Sequence, residues 1–337
     1  MALAELPTAV ERVDGLCERT RAEIWIKRDD ATGRRYGGNK VRKLEYVLGE
    51  ALAGGHDSLI TSGAAGSHHA LATAIHGAEQ GLKVHAVLMP QRYSAHAQEH
   101  LQALLVAGAQ VHPVRSGALV VPRTLALATR QRLRGRSPLV VPPGGSSTSG
   151  VVGHVEAGLE LARQMEAGVL PEVDAVFVAL GTGGTAAGLA VGLAAAGVTA
   201  TVVGVRVVPR SIGNATVLRS HVSRVVHRLR RLDDRFPDVA AVARRLLEID
   251  HAEVGDGYGV PTSAGRNAAR LAREHAGLTL EPTYTAKAFA AMLRWAGGVL
   301  QGKRVLYVHT LSGVDLGPSV HRAPPLPATL RRLLKRA

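Results

Sequence analysis

The chain has a single cysteine, Cys17, in 337 residues, so it can form no internal disulfide and no cysteine-rich metal site. That usage fits a reducing, cytoplasmic setting. Aromatic residues make up only 3% of the chain, against 46% for all apolar types. A core of Ala, Val and Leu suits helices packed on buried parallel strands. No stretch approaches the roughly 20 apolar residues of a membrane span, and the N-terminal MALAELPTAVERVDG has neither the basic start nor the long apolar run of a secretory signal. No glycine-lysine is followed by serine or threonine, which argues against a P-loop nucleotide hydrolase. Lysine is scarce as well, confined to Lys27, Lys40, Lys43, Lys83, Lys287, Lys303 and Lys335. The net charge of +14 therefore rests on arginines scattered along the chain, which read as solvated faces; neither a nucleic-acid partner nor a membrane partner is expected.

One of the few lysines stands in a particular setting. Gly37 to Glu45, GGNKVRKLE, places Lys40 on a glycine-rich turn that opens a helix. Glycines let backbone approach a ligand closely, and the positive end of a helix disfavours an ammonium form. An amine so placed is partly deprotonated and nucleophilic, as Schiff-base chemistry with an aldehyde cofactor requires. The plainer alternative is a surface lysine on a basic helix.

The rest of the chain alternates strands with helices. Strand patterns cover 23–27, 58–62, 84–89, 110–114, 139–142, 173–180, 201–208 and 304–310. Helical patterns cover 41–53, 70–79, 95–107, 119–133, 150–164, 263–275 and 285–296. The segment 217–248 reads as arginine-rich helix with a turn near Asp233-Asp234 and Pro237, and 324–337 as a basic terminal helix. Such alternation implies parallel pairing through crossover connections.

GTGGTAAGL, Gly181 to Leu189, lies between a strand and a helix, so its amides and the hydroxyls of Thr182 and Thr185 can hold a phosphate. The next strand ends in Val205-Arg206-Val207 with no acid to hold a ribose, so a single phosphate fits better than a dinucleotide. His96 and His100, four apart on a helix, offer two metal ligands, but no third is evident; they read as surface histidines and no metal is assigned. Arg224, Arg228 and Arg231 form a basic helix face, read as solvated.

An isolated lysine, a phosphate-sized cup and further serine-bearing loops, Ser67-His68-His69 and Gly144-Gly145-Ser146-Ser147, suggest one small phosphorylated aldehyde. With IKRDDATG and GGNKVRKLE, GGSSTSGVVGHVEAGLEL, GTGGTAAGL, GYGVP (257–261), EPTYTAKA (281–288) and VLYVHT (305–310), the sequence resembles the fold type II pyridoxal-phosphate enzymes, in the D-cysteine desulfhydrase and 1-aminocyclopropane-1-carboxylate deaminase group. The resemblance runs from about Ile24 to Gly313. It implies an α/β, tryptophan-synthase-β-like fold: two open, twisted, mostly parallel sheets flanked by helices, with the cofactor in the cleft between them. It also implies a larger cofactor-binding domain from 1–43 and 159–337, a smaller α/β domain from 44–158, and a homodimer.

On this resemblance Lys40 is the lysine that carries pyridoxal 5'-phosphate and shuttles the proton, with Asn39 beside it. Ser67 meets the substrate carboxylate, Gly181, Thr182, Gly183, Gly184 and Thr185 form the phosphate cup, and Tyr258 and Tyr284 are active-site tyrosines, the second against the cofactor ring. The implied reaction is β-elimination from a small amino acid such as D-cysteine, giving pyruvate, ammonia and sulfide. Thr285 and Thr310 stand where the deaminases have glutamate and leucine, which favours the desulfhydrase pattern over ring-opening deamination. Departures occur too: His68 replaces an asparagine thought to touch the cofactor's 3-oxygen, Leu71 replaces a common arginine, and Leu311-Ser312 replaces two glycines. A family member that has lost catalysis and binds cofactor or an acidic ligand as a regulator is the alternative from another class.

Overall fold

A computed structural model of the chain describes residues 1–321 and 323–335. Its strands are β1 (Val10–Arg12), β2 (Glu23–Lys27), β3 (Ser58–Ala64), β4 (Lys83–Met89), β5 (Gln91–Arg92), β6 (Gln110–Pro113), β7 (Pro138–Val140), β8 (Ala175–Leu180), β9 (Thr201–Arg206), β10 (Leu247–Asp250), β11 (Arg304–Val308) and β12 (Leu334–Lys335). The chain divides into two compact units, one of Ala4–Lys43 and Thr148–Gly313, the other of Met1–Leu3, Leu44–Ser147 and Val314–Ala337. The division falls inside the helix Asn39–Ala53, whose first turn belongs to the larger unit.

In the larger unit six strands run in the order β1-β2-β11-β8-β9-β10, all parallel except the β1–β2 edge pair. Both faces are covered, which is why the strands read as continuous apolar runs. Along β8 the side chains alternate between two cores. Val176, Val178 and Leu180 pack with the helices Thr148–Glu166, Gly184–Ala195 and Ala215–Leu232, whereas Ala175 and Phe177 pack with Ser263–Ala276 and Thr285–Ala296. Glycines let two of these helices touch backbone to backbone: a Cβ on Gly158 would sit 2.6 Å from the Leu189 carbonyl oxygen, and one on Gly192 would strike that of Val155.

The smaller unit holds a four-stranded parallel sheet, β6-β4-β3-β7. Ile60 and Val87 face Leu127 and Ala128 of the helix Val120–Arg132. On the helix His68–Glu79, Gly77 lies close against Leu59 and Val84.

Three expectations need correction. The arginine-rich segment forms helices Ala215–Leu232 and Ala240–Arg245 on either side of the expected turn, but its last residues belong to β10, the edge partner of β9; four residues are too few to show a period. The basic tail is a short helix, Ala328–Arg331, followed by β12 paired with β5, while residues 336 and 337 of that expectation lie outside the described residues. The unit boundary falls at Thr148 rather than 159, and Val314–Ala337 joins the smaller unit, because β12 pairs there. The expectation also passed over β1 and the helix Asp14–Thr20.

Candidate active site

Beneath the lysine turn lies a buried ionic cluster. Lys27 at the end of β2 donates to Glu160 at 2.5 Å, to Gln164 Oε1 at 2.7 Å and to the Thr8 carbonyl at 2.7 Å. Arg42 donates to both Asp29 oxygens at 2.8 and 3.0 Å and to Glu160 at 2.9 Å. Each of these charges is almost fully buried, and burial on that scale requires such pairing. Glu160, held by Arg42 and Lys27, is pulled down to about 2 in spite of its burial. Because Arg42 lies two residues beyond Lys40, the cluster anchors the turn that presents Lys40.

That turn is tight. Gly38 has φ 83°, and a Cβ there would sit 2.8 Å from the Thr310 carbonyl oxygen. The same carbonyl accepts from the Asn39 backbone N–H at 3.2 Å, and Ser312 Oγ accepts from the Gly37 N–H at 2.9 Å. Lys40 Nζ donates to Asn39 Oδ1 at 2.9 Å, and Asn39 Nδ2 donates to Thr185 Oγ1 at 3.0 Å. Lys40 as a residue is half-buried. Loss of hydration lowers it to about 8, against the pull of the Glu281 carboxylate.

Thr185 opens the helix Gly184–Ala195 in the GTGGT loop. Gly183 is its N-cap with φ 86°, and a glycine offers the first-turn N–H groups no side-chain acceptor. His221 Nε2 braces the loop by donating to the Thr182 carbonyl at 2.9 Å. A Cβ on Gly181 would meet Tyr284 Cε1 at 3.3 Å, so loop and ring are near neighbours. Tyr284 donates to the Tyr258 hydroxyl at 2.9 Å, their rings edge to face. Burial raises both phenols, Tyr258 to about 12, so both stay protonated.

Residues without an assigned role in the sequence reading support this arrangement. The buried Glu281 carboxylate accepts from the backbone N–H groups of Thr283 (2.7 Å), Tyr284 (2.5 Å) and Thr285 (2.9 Å), fixing the turn that carries Tyr284. An acid followed by proline just before a helical run was the available signal. Lys287 holds the Tyr258 loop by donating to the Val254 and Gly257 carbonyls at 2.7 and 3.0 Å. Thr285 is buried, and its hydroxyl is engaged with Glu281, accepting from the backbone N–H at 2.7 Å and donating to the carbonyl at 3.2 Å.

A phosphorylated aldehyde fits this set. An uncapped helix N-terminus suits a phosphate, an amine near 8 suits an aldehyde carbon, and a tyrosine ring stands beside the phosphate loop. The structure thus brings Asn39, Lys40, Gly181–Thr185, Tyr258, Tyr284, Thr285 and the Thr310 backbone into one neighbourhood of the larger unit.

Ser67 and His68 belong to the smaller unit. Ser67 caps the helix His68–Glu79, its Oγ accepting from the Ala70 N–H at 3.2 Å. His68 Nε2 lies 2.9 Å from His96 Nε2, and His68 Nδ1 lies 3.1 Å from His100 Nε2. His100 is 3% exposed, so it is no surface histidine, and a third imidazole does stand beside the pair.

Residues 1–310 match the family model described as "Pyridoxal-phosphate dependent enzyme". The chain belongs to that family. It is 36% identical over 331 residues to a D-cysteine desulfhydrase of Klebsiella pneumoniae (strain 342), covering 92% of this chain and 93% of the relative. A crystal structure of an ACC deaminase homologue superposes with a TM-score of 0.78 at 28% identity, covering 92% and 91% of the two chains. A pyridoxal 5'-phosphate-dependent aspartate racemase, at 17% identity and TM-score 0.65 over 95% and 93%, shares the fold. The family architecture of two mainly parallel open sheets flanked by helices and its cofactor, pyridoxal phosphate, are thereby those of this chain. No helix among the described residues is long and apolar enough to cross a membrane.

Proposed function

We propose that this pyridoxal-phosphate enzyme is a carbon-sulfur lyase that eliminates sulfide from D-cysteine or a close β-substituted amino acid, giving pyruvate and ammonia with uptake of water. The observation that carries the reading is the hydrogen-bonded run Lys40–Asn39–Thr185, which ties the reactive amine to the phosphate loop through two bonds of 2.9 and 3.0 Å. Those two ends are what one phosphorylated aldehyde spans. The relative named D-cysteine desulfhydrase supports the substrate class.

The cofactor supplies an aldehyde carbon and a conjugated ring that delocalises the electron pair left at Cα. The residues do the rest. The amides of Gly181–Thr185 would hold the phosphate, and the Tyr284 ring would steady the pyridine. With its amine near 8, roughly one Lys40 in ten is neutral at pH 7, and in that form Nζ would be able to hold the cofactor and to accept the substrate's Cα proton. The Tyr258–Tyr284 pair, held protonated, offers a hydrogen bond to the departing sulfur rather than acting as a base. Ser67 as partner of the substrate carboxylate and His68 as a contact of the cofactor rest on the family resemblance alone. Thr285 would leave no carboxylate where the deaminases have glutamate, and the weaker electron sink this implies would suffice for a thiolate leaving group. A homodimer is proposed by family analogy, and sedimentation equilibrium reads it directly.

The test is product analysis with D- and L-cysteine, serine, chloroalanine and the cyclopropane amino acid. Sulfide, pyruvate and ammonia in equal amounts from D-cysteine are expected. Ammonia from the cyclopropane acid without sulfide from cysteine would make the protein a deaminase, and cofactor binding without any product would make it a regulator.

A further inference from the structure

The His68, His96 and His100 side chains meet in the smaller unit, and nothing in the elimination reaction uses them as a group. One ligand atom from each lies within 4.8 Å of the other two. His68 faces the other two rings with different nitrogens, Nε2 toward His96 Nε2 at 2.9 Å and Nδ1 toward His100 Nε2 at 3.1 Å, so one ion would take one of the two. A small turn of the rings would bring the three ligand atoms from within 4.8 Å to the ~3.3 Å separation of a tetrahedral site with N bonds of about 2.0–2.1 Å. His96 and His100 are four residues apart on the helix Ala95–Val106 and so share a face. His100 Nδ1 lies 2.9 Å from the His96 carbonyl oxygen, which can only accept, so Nδ1 carries the proton and Nε2 keeps its lone pair toward His68. A backbone bond that fixes the tautomer in this way is what orients metal-ligating imidazoles elsewhere.

We propose that His68, His96 and His100 form a binding site for one borderline divalent cation of the zinc class, with the fourth position left to water. Three neutral imidazoles without carboxylate select such an ion over calcium or magnesium, which need oxygen ligands. Histidine in place of asparagine at position 68 supplies the third ligand. Without metal the same rings form a hydrogen-bonded chain, and taking up the ion would require a change of tautomer with no net loss of a proton.

The experiment titrates Zn2+ into the cofactor-loaded full chain against a chromophoric chelator, comparing wild type with His96→Asn, His100→Asn and His227→Asn. The last changes an exposed histidine of the helix Ala215–Leu232 and serves as control. One ion per chain is expected, weakened more than ~10-fold in His96→Asn and His100→Asn and unchanged in His227→Asn. His96 is half-buried, so its variant keeps the test valid if His100→Asn does not fold. No binding by wild type, or binding retained in His96→Asn, would overturn the site whether or not sulfide is released from D-cysteine.

Discussion

Lys27 and Lys40 are both lysines of the larger unit withdrawn from water, and burial lowers the basicity of both. Their surroundings differ in one respect. Lys27 meets a carboxylate, an amide oxygen and a carbonyl, all within 2.7 Å. Lys40 meets the single amide oxygen of its neighbour Asn39. Full satisfaction makes Lys27 part of the frame, whereas withholding a contacting carboxylate leaves Lys40 with an amine near 8. The nearby acid, Glu281, gives its carboxylate to three backbone N–H groups instead. A lysine thus becomes chemical through the partner it is denied.

Four experiments break or sharpen this contrast. Lys40→Ala should remove the absorbance band near the visible edge that lysine-bound pyridoxal phosphate would give, and lower turnover by at least ~10²–10⁴-fold while the thermal midpoint holds. A folded Lys27→Met protein that lost the same band would collapse the distinction. Glu160→Ala should cost ~3–5 kcal/mol in denaturant unfolding, because Lys27 and Arg42 are left short of a buried counter-charge. Glu160 is lowered in the folded state, so its contribution is present above about pH 4.5 and lost as pH falls toward about 2. Glu160→Gln should flatten that part of the acid-unfolding profile.

The third experiment is a pH series. Lys40 is lowered in the folded state, so its neutral fraction grows as pH rises and saturates above about 8. Capture of pyridoxal phosphate by protein stripped of it should accelerate about tenfold per pH unit below that value and level off beyond it. Levelling near the ordinary lysine range instead would show that Lys40 is not desolvated. The smallest effect is expected from Asn39→Ala, which removes the amide linking amine and phosphate loop. Equilibrium cofactor affinity should fall by about the value of one hydrogen bond, ~0.5–1.5 kcal/mol.

Long elements were legible because their residues carry their own period. The strand at 23–27 and the helix at 285–296 have the expected bounds, and most others agree within a few residues. β10 and β12 were missed because so short a segment takes its strand form from the neighbour it pairs with, β9 or β5. The lysine turn and the glycine-rich loop that opens the helix Gly184–Ala195 could be read because glycines announce their backbone needs locally. Glu281, Lys287 and His221 could not be assigned roles, since each acts on backbone atoms of loops that it does not itself reveal.

The sequence by itself determined the alternation of strands and helices, the amine on its glycine turn, the glycine-rich loop at 181–185 and the family to which they point. Each depends on residues within a few positions of one another. Only the tertiary structure decided the partners: Lys27 with Glu160, 133 residues away, Asn39 with Thr185, 146 away, and His68 with His96 and His100 across 28 and 32. Hydrogen bonds and desolvation act over a few ångströms of space, and the chain's path through two sheets, rather than its local pattern, sets which groups come that close.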